Sequence, residues 1–427
     1  MGERAVIRRR HVFYVEGYDP QGAEGYYDLF QRAWKRTRKT WAFDGQLGAL
    51  TLDSDVVAHW DITTTGPNWR TATRYEFLRL EGIIGRNMAE PMRRQLPRAL
   101  AWAAGDVANG TMLKIFRAAW RFELHLLYFQ LLLLSWLGLA LAGGALTSLA
   151  AAKLAGVPQL AAIAIGIAGA PVVFSLLRPL ADRLQIVQIN NCWPYLRAFA
   201  RGEDSAFDAP IEEYAARIVA AARAADSDEI VVVGHSAAGV TASAVMARAL
   251  DLDPALGQHG PSVVLLTLGS VMPAAALHPS ARRMREVVRR LVVEPSIAWI
   301  DCVSRKDVMN FWDYDLVAGL NIERSRNSRN PLTWKVSFKD AVSPEYYRRL
   351  RRSFFRLHYQ FIMSGDRRSA YDYVMLIAGP AAVVDWAQAA HAIAGAFADD
   401  ATFTPAGRGE GSAGTSTDAA TRARTDA

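Results

Sequence analysis

At 427 residues the chain is long for one average domain, so it holds one large domain or two. With 51% hydrophobic residues, 21% charged residues and a mean hydropathy of +0.03, it is too apolar to be disordered throughout. Two cysteines, Cys192 and Cys302, exclude a disulfide framework and a four-thiolate zinc site, and the histidines lack ligand spacing, so neither metal nor cofactor is expected; the formal charge of +7 admits nucleic acid or an anionic membrane without choosing between them.

The first ten residues contain no apolar stretch of the secretory-signal kind. His11–Val15 (HVFYV) is a β-branched and aromatic run ended by Gly17, and Tyr26–Lys39 places Tyr, Leu, Phe and Trp at helical spacing, which predicts strand, loop and helix. Val56–Thr65 alternates as a second strand. Tyr75–Ala104 has a helical pattern broken at Pro91 and Pro97.

From Leu124 to Ala152 no Asp, Glu, Lys or Arg occurs; Lys153 interrupts, and Leu154–Leu177 is free of them again. A bilayer core needs ~20 apolar residues in a helix, so Leu126–Leu146 and Gln159–Leu177 read as two spans joined by a short turn at Lys153 and Pro158. Small residues at four-residue spacing, Gly138/Ala142 and Gly166/Ala170, suit close helix packing, and Pro171 predicts a kink. Lys114, Arg117 and Arg121 precede the first span, and Arg178, Arg183 and Arg197 follow the second, so both flanks are expected on the cytoplasmic side of the membrane. A buried helical hairpin is the alternative, and the lack of a polar stripe argues against it.

Beyond the hairpin, an amphipathic helix at Ile211–Ala225 leads into Glu229–Val233 (EIVVV), the pattern of a strand buried on both faces. There follow a helix near Val240–Leu250, a strand at Ser262–Leu268, a helix at Ala281–Val292, strands at Ile297–Val303 and Leu332–Phe338, and a helix from Pro344. Strands alternating with helices of this length give an α/β class with a mostly parallel sheet covered on both faces. Because a hairpin returns the chain to the side it left, the early strands can pair with the later ones. The expected division is residues 1–121 and 181–403 forming one α/β domain, 122–180 the inserted transmembrane hairpin, and 404–427 a loose tail without large apolar residues.

The stretch Gly234-His235-Ser236-Ala237-Ala238-Gly239 sits between EIVVV and a helical segment. A buried strand that stops at a tight turn, with small residues two before and two after a serine and a helix behind it, is what exposes a nucleophilic hydroxyl. A serine there can also simply cap the helix. The stretch resembles the α/β-hydrolase superfamily, whose pattern is G-x-S-x-G; here Ala238 replaces the last glycine, and Gly239 follows it. The resemblance covers most of the chain outside the hairpin and tail, and it implies a lipase- or esterase-like serine hydrolase.

Serine needs a base to take its proton and a carboxylate to orient that base. In the superfamily the order along the chain is Ser, acid, His. This order implies Asp307, in the turn after Ile297–Val303, as the acid, with Asp301 as runner-up and Asp313 and Asp315 as later loop candidates. It implies His358 as the base, set some twenty residues beyond the last strand, while His391 lies in an alanine-rich helical tract and His235 is a packing residue. The oxyanion donors it implies are the N–H of Ala237 and the N–H of Tyr18 beside Gly17, with Glu16 standing where the superfamily often has histidine. Arginine clusters at 282–290 and at 348–356, the latter with interleaved Tyr and Phe, lack any nucleic-acid motif and suit anionic lipid head groups or plain solvated helix faces. The expectation is an integral membrane protein, of the bacterial inner-membrane kind, with the catalytic domain and both termini cytoplasmic, cleaving an ester or thioester of an apolar acyl substrate. The alternative is a membrane scaffold or sensor that keeps the hydrolase shell without turnover.

Overall fold

A computed structural model describes residues 6–19 and 21–405, so all of the expected tail but its first two residues falls outside the described residues. The chain forms two compact units, one of Met1–Ile84, Ser205–Pro273 and Met284–Ala427, the other of Gly85–Asp204 and Ala274–Arg283.

The first unit is built on a nine-stranded sheet. Its strands are β1 Arg9–Val15, β2 Asp44–Leu47, β3 Thr51–Leu52, β4 Val57–Gly66, β5 Trp69–Leu78, β6 Glu229–His235, β7 Ser262–Leu268, β8 Ala298–Val303 and β9 Leu332–Lys335. The spatial order is β2-β4-β5-β1-β6-β7-β8-β9, with β3 beside β4. β1, β5, β6, β7, β8 and β9 run parallel, and β4 is antiparallel to its neighbours. Val12 of β1 lies opposite Val231 of β6, so the N-terminal and C-terminal parts of the chain do pair across the inserted segment.

Every residue of β6 is buried, because helices lie on both faces of the strand. Val231 and Val233 join one core with Tyr26, Phe30 and Trp34 of the helix Gly22–Trp41 and with Tyr373–Ala378. The other face is covered by the helices Asp208–Ala224 and Ala238–Leu252. Within the first core Tyr75 Oη lies 2.6 Å from Tyr26 Oη and 2.7 Å from Tyr373 Oη, which satisfies three buried phenols among packed rings.

One expectation fails here. Tyr75–Leu78 is strand, and the helical segments begin only at Glu81–Met88 and Met92–Ala108. Trp69, Thr71, Thr73, Tyr75 and Phe77 all point inward while Arg70 and Ala72 face out, a period of two that the threonines hid from a purely hydrophobic reading. The turn Pro67-Asn68 folds β5 back on β4. The last strand also stops short, at Lys335, and Phe338–Ala341 turns into a helical segment.

The second unit is helical, and it is wider than the expected 122–180 insertion, because Met92–Ala108 and Ile186–Arg201 belong to it. Two of its helices, Thr111–Leu154 and Gln159–Arg183, are long and apolar enough to cross a membrane. Leu139, Leu141, Leu146, Leu160, Ile167 and Leu176 on them are all more than half exposed. The helices touch through glycine: a methyl on Gly144 would lie 2.6 Å from the Gly166 carbonyl oxygen, and one on Gly166 would lie 2.7 Å from Ser148 Cβ. The close-packing residues are therefore Gly144/Ser148 against Gly166/Ala170, and Gly138 meets nothing. Trp136 stacks on Phe174 with centroids 4.1 Å apart. In this pair the residue that leaves helical dihedrals is Ala119 (φ −155°, ψ 75°), not Pro171. Arg197 is not a free flanking charge either: it is buried, and its guanidinium donates to Asp106 at 2.7 Å.

Candidate active site

The strand β6 runs directly into the turn that carries Ser236, whose φ of +58° is in the left-handed region. A non-glycine residue there costs roughly 1–3 kcal/mol, so the surrounding structure has to hold it in place. The Ser236 N–H donates to the Leu268 carbonyl at the end of β7 (2.9 Å), and its carbonyl accepts from Gly239 (3.1 Å), which fixes the turn at both ends. The helix Ala238–Leu252 then starts immediately behind.

The small residues of the turn are required by contact distances. A methyl on Gly234 would sit 2.6 Å from the Ala238 carbonyl oxygen and 2.7 Å from Ala242 Cβ, and one on Gly239 would meet Ser270 Cβ at 2.8 Å. Ala238, where the superfamily pattern has glycine, faces Gly17, and a methyl on Gly17 would make only ordinary contact with it, 3.8 Å from Ala238 Cβ and 3.8 Å from its nitrogen. The loop after β1 therefore lies against the serine turn. That loop is anchored at both ends, by the Leu80 N–H donating to the Glu16 carboxylate and by the Tyr359 hydroxyl donating to Asp19 Oδ2. Tyr18 between them is buried.

Asp307 and His358 meet. His358 Nδ1 lies 2.7 Å from Asp307 Oδ2, and both side chains are buried. Asp307 also accepts from the Met309 N–H at 2.9 Å and from Asn310 Nδ2 at 2.9 Å. Burial alone would raise its carboxyl, but the His358 charge and hydrogen bond, with the Met309 and Asn310 donors, carry it below the ordinary aspartate value. An ionised Asp307 can only accept, so the His358 Nδ1 facing it carries a proton, and Nε2 is the ring nitrogen left to exchange one. That Nε2 is buried with no hydrogen-bond partner among the described residues. The His358 ring lies beside the end of β7, since a methyl on Gly269 would come 3.1 Å from its Cε1, and Ser236 is bonded to Leu268 in that same strand end.

His235 is the neighbour whose importance the sequence understated. Its Nε2–H donates to the His358 carbonyl at 3.2 Å, and the two rings lie 4.6 Å apart. Burial, then the His358 charge, pushes the His235 imidazole down to about 3, so it remains neutral and serves as a fixed donor. Nothing in the order of residues along the chain signals this contact, which joins positions 123 apart.

The other carboxylates lie elsewhere. Asp301 accepts from Thr267 Oγ1 at 2.6 Å inside the sheet and is pushed up to about 6 by burial; Asp313 pairs with Lys335; Asp315 caps the short helix Leu316–Gly319. His391 is exposed on the helix Val383–Gly395. Among the described residues no cluster of His, Cys, Asp or Glu could hold a metal ion. No family model matches the chain, and neither a curated protein nor a solved structure matches it.

Glu16 gives a prediction about pH. Burial, then the Glu81 and Asp19 charges, raise its carboxyl to about 8, against the opposing pull of the Leu80 N–H. The folded chain therefore holds this proton more tightly than the unfolded chain. Stability from this group is fully present below the ordinary glutamate value near 4.3 and falls as pH rises through about 8. Glu16→Gln keeps the acceptor for Leu80 and has no proton to lose. Thermal unfolding in detergent is expected to rank the variant equal to wild type at pH 5 and above it at pH 9; an equal fall in both would show that Glu16 is not the titrating group.

Proposed function

We propose that the chain is a membrane-anchored serine hydrolase of the α/β-hydrolase type that cleaves an ester or thioester of an apolar acyl substrate. The observation that carries this reading is the Asp307–His358 pair at 2.7 Å, with its free Nε2 at the same end of β7 that holds the strained Ser236 turn. In this mechanism Ser236 Oγ attacks the acyl carbon as His358 Nε2 takes its proton. The oxyanion is held by the N–H groups of Ala237 and Tyr18, the first at a helix start where no preceding turn can use it. Collapse breaks the bond to the leaving oxygen or sulfur, which takes the proton from His358, and water then cleaves the acyl-enzyme with His358 as base. Asp307 holds the tautomer and stabilises the imidazolium.

The apolar acyl class rests on the two long apolar helices, which in this reading anchor the protein in a bilayer. Lys114, Arg117, Arg121, Arg178 and Arg183 then favour a cytoplasmic position for both flanks, with Arg197 removed from that count by its buried pair. No nucleic acid enters this reading.

A fluorophosphonate probe on the membrane fraction tests it. Wild type is expected to be labelled and Ser236→Ala not; a folded wild type that resists labelling would leave a scaffold on a hydrolase shell. Release of the intact chain by detergent-free washing would overturn the anchor separately.

A further inference from the structure

The first unit carries two cationic surfaces that the reaction does not use, and the structure joins them. The helix Gly22–Trp41 buries Tyr26, Phe30, Ala33, Trp34 and Thr37 and exposes Arg32, Lys35, Arg38 and Lys39. The segment Pro344–Tyr359 exposes Arg349, Arg351, Arg352 and Arg356. None of these eight has an ion-pair partner among the described residues, although acidic groups are near: Glu345 takes Arg348, and Asp366 accepts from the Ser343 N–H and hydroxyl. Arg36 connects the two elements, donating to Tyr346 Oη at 2.8 Å and lying 4.8 Å over its ring. Arg349 stands one helical turn from Tyr346.

Phe354 is 47% exposed amid these arginines. Basic side chains around an exposed aromatic match an anionic bilayer surface, where the charges meet phosphate and carboxylate head groups and the ring enters the acyl boundary. The chain also holds two helices able to cross a membrane, which would keep such a surface always within reach.

We propose that this face, with Phe354, lies on anionic lipid. The inference rests on the membrane-anchored reading and extends it. The short helix Phe354–Tyr359 contains His358, so docking would hold the segment carrying the base at head-group level and point to a lipid-borne acyl ester as the substrate.

The full chain is placed in phosphatidylcholine discs and in discs that also contain phosphatidylserine, with an environment-sensitive dye on Phe354→Cys in a Cys192→Ser, Cys302→Ala background. The expected result is a blue shift in the phosphatidylserine discs alone. It should vanish in about 1 M salt, where the screening length is ~3 Å. It should also vanish in Arg349→Glu/Arg351→Glu/Arg352→Glu and shrink in Lys35→Glu/Lys39→Glu. On the unsubstituted chain, trypsin cleavage after Arg351 and Arg352, read by mass spectrometry, should be suppressed by phosphatidylserine, which gives the same contrast if the dye variant does not fold. Equal emission and equal cleavage in both discs would overturn the inference, as would tight binding of single-stranded RNA without a lipid response. Fluorophosphonate labelling in the same discs separates the two proposals: labelling without a lipid response defeats only the docking face, and a lipid response without labelling defeats only the hydrolase. Failure of the chain to stay with either disc would defeat the anchor.

Discussion

Ser236→Ala should reduce ester turnover by about 10⁶-fold, and Asp307→Asn by about 10⁴-fold with the fold preserved. In the proposed mechanism the first figure follows from removing the hydroxyl that forms the acyl-enzyme, which leaves the oxyanion donors and substrate binding to give what rate remains. The second follows from the hydrogen bonds around Asp307. An asparagine can still accept from the Met309 N–H, and Asn310 Nδ2 keeps the Ser304 and residue-307 carbonyls when it loses the carboxylate oxygen, but the new amide can donate toward His358 Nδ1 and so favour the tautomer that places the proton on Nε2, where in the proposed mechanism it blocks proton removal from Ser236. The expected signature is a fall in kcat with little change in KM, steepest at neutral pH and partly relieved at high pH, measured with a short-chain chromogenic ester. If Asp307→Asn lost less than roughly tenfold, the carboxylate would not be acting on the base; if it also unfolded the chain, circular dichroism would show that at once.

Glu229→Ala is expected to be the most damaging single change to stability outside the site. Arg10 and Glu229 are fully buried, joined at 2.7 Å across β1 and β6. Arg10 also donates to the Gly379 and Ala381 carbonyls, each at 2.8 Å, and Glu229 accepts from the Val383 N–H at 2.9 Å, so the pair binds the sheet to the segment behind it. Removing one member of such a pair leaves an uncompensated buried charge and costs about 3–5 kcal/mol. That is a large part of the ~5–15 kcal/mol by which a folded domain is stable. Arg10→Met combined with Glu229→Leu should cost less than the sum of Arg10→Met and Glu229→Leu made singly, because no charge is stranded even though the Gly379 and Ala381 carbonyls and the Val383 N–H lose their partners. Urea unfolding of the four members of this cycle measures the coupling, and additive losses would show that the pair contributes little as a pair.

Much of the site is legible in order along the chain. EIVVV followed by Gly-His-Ser-Ala-Ala-Gly states locally that a buried strand ends at a tight turn, and every distance at Gly234 and Ser236 agrees with that, because strand, turn and helix are neighbours in sequence. Asp307 and His358 could be placed only through the order that the superfamily implies, since the contact joins residues 51 apart. The second strand of the hairpin β4–β5 was hidden because its inward positions include Thr71 and Thr73, buried hydroxyls that satisfy themselves on the backbone: Thr71 Oγ1 donates to the Ile7 carbonyl at 2.8 Å. Likewise, four-residue spacing suggested Gly138/Ala142 and Gly166/Ala170 as packing positions; Gly166 and Ala170 do pack closely, but against Gly144 and Ser148, while Gly138 meets nothing.

By itself the sequence determined the α/β alternation, the two apolar helices and the serine turn, because each is set by residues within a few turns of one another, where periodicity and side-chain size act directly. Only the tertiary structure decided that β1 lies between β5 and β6, that Gly17 faces Ala238, that His235 supports the His358 backbone, and that Tyr359 fastens the Asp19 loop. Those contacts bring together residues far apart in the chain, and which distant partners meet is fixed by the packing of the whole sheet and its covering helices. A long, slightly apolar, basic chain thus divides among a buried sheet core, an apolar helix pair and an arginine-rich face, three environments averaged in one composition.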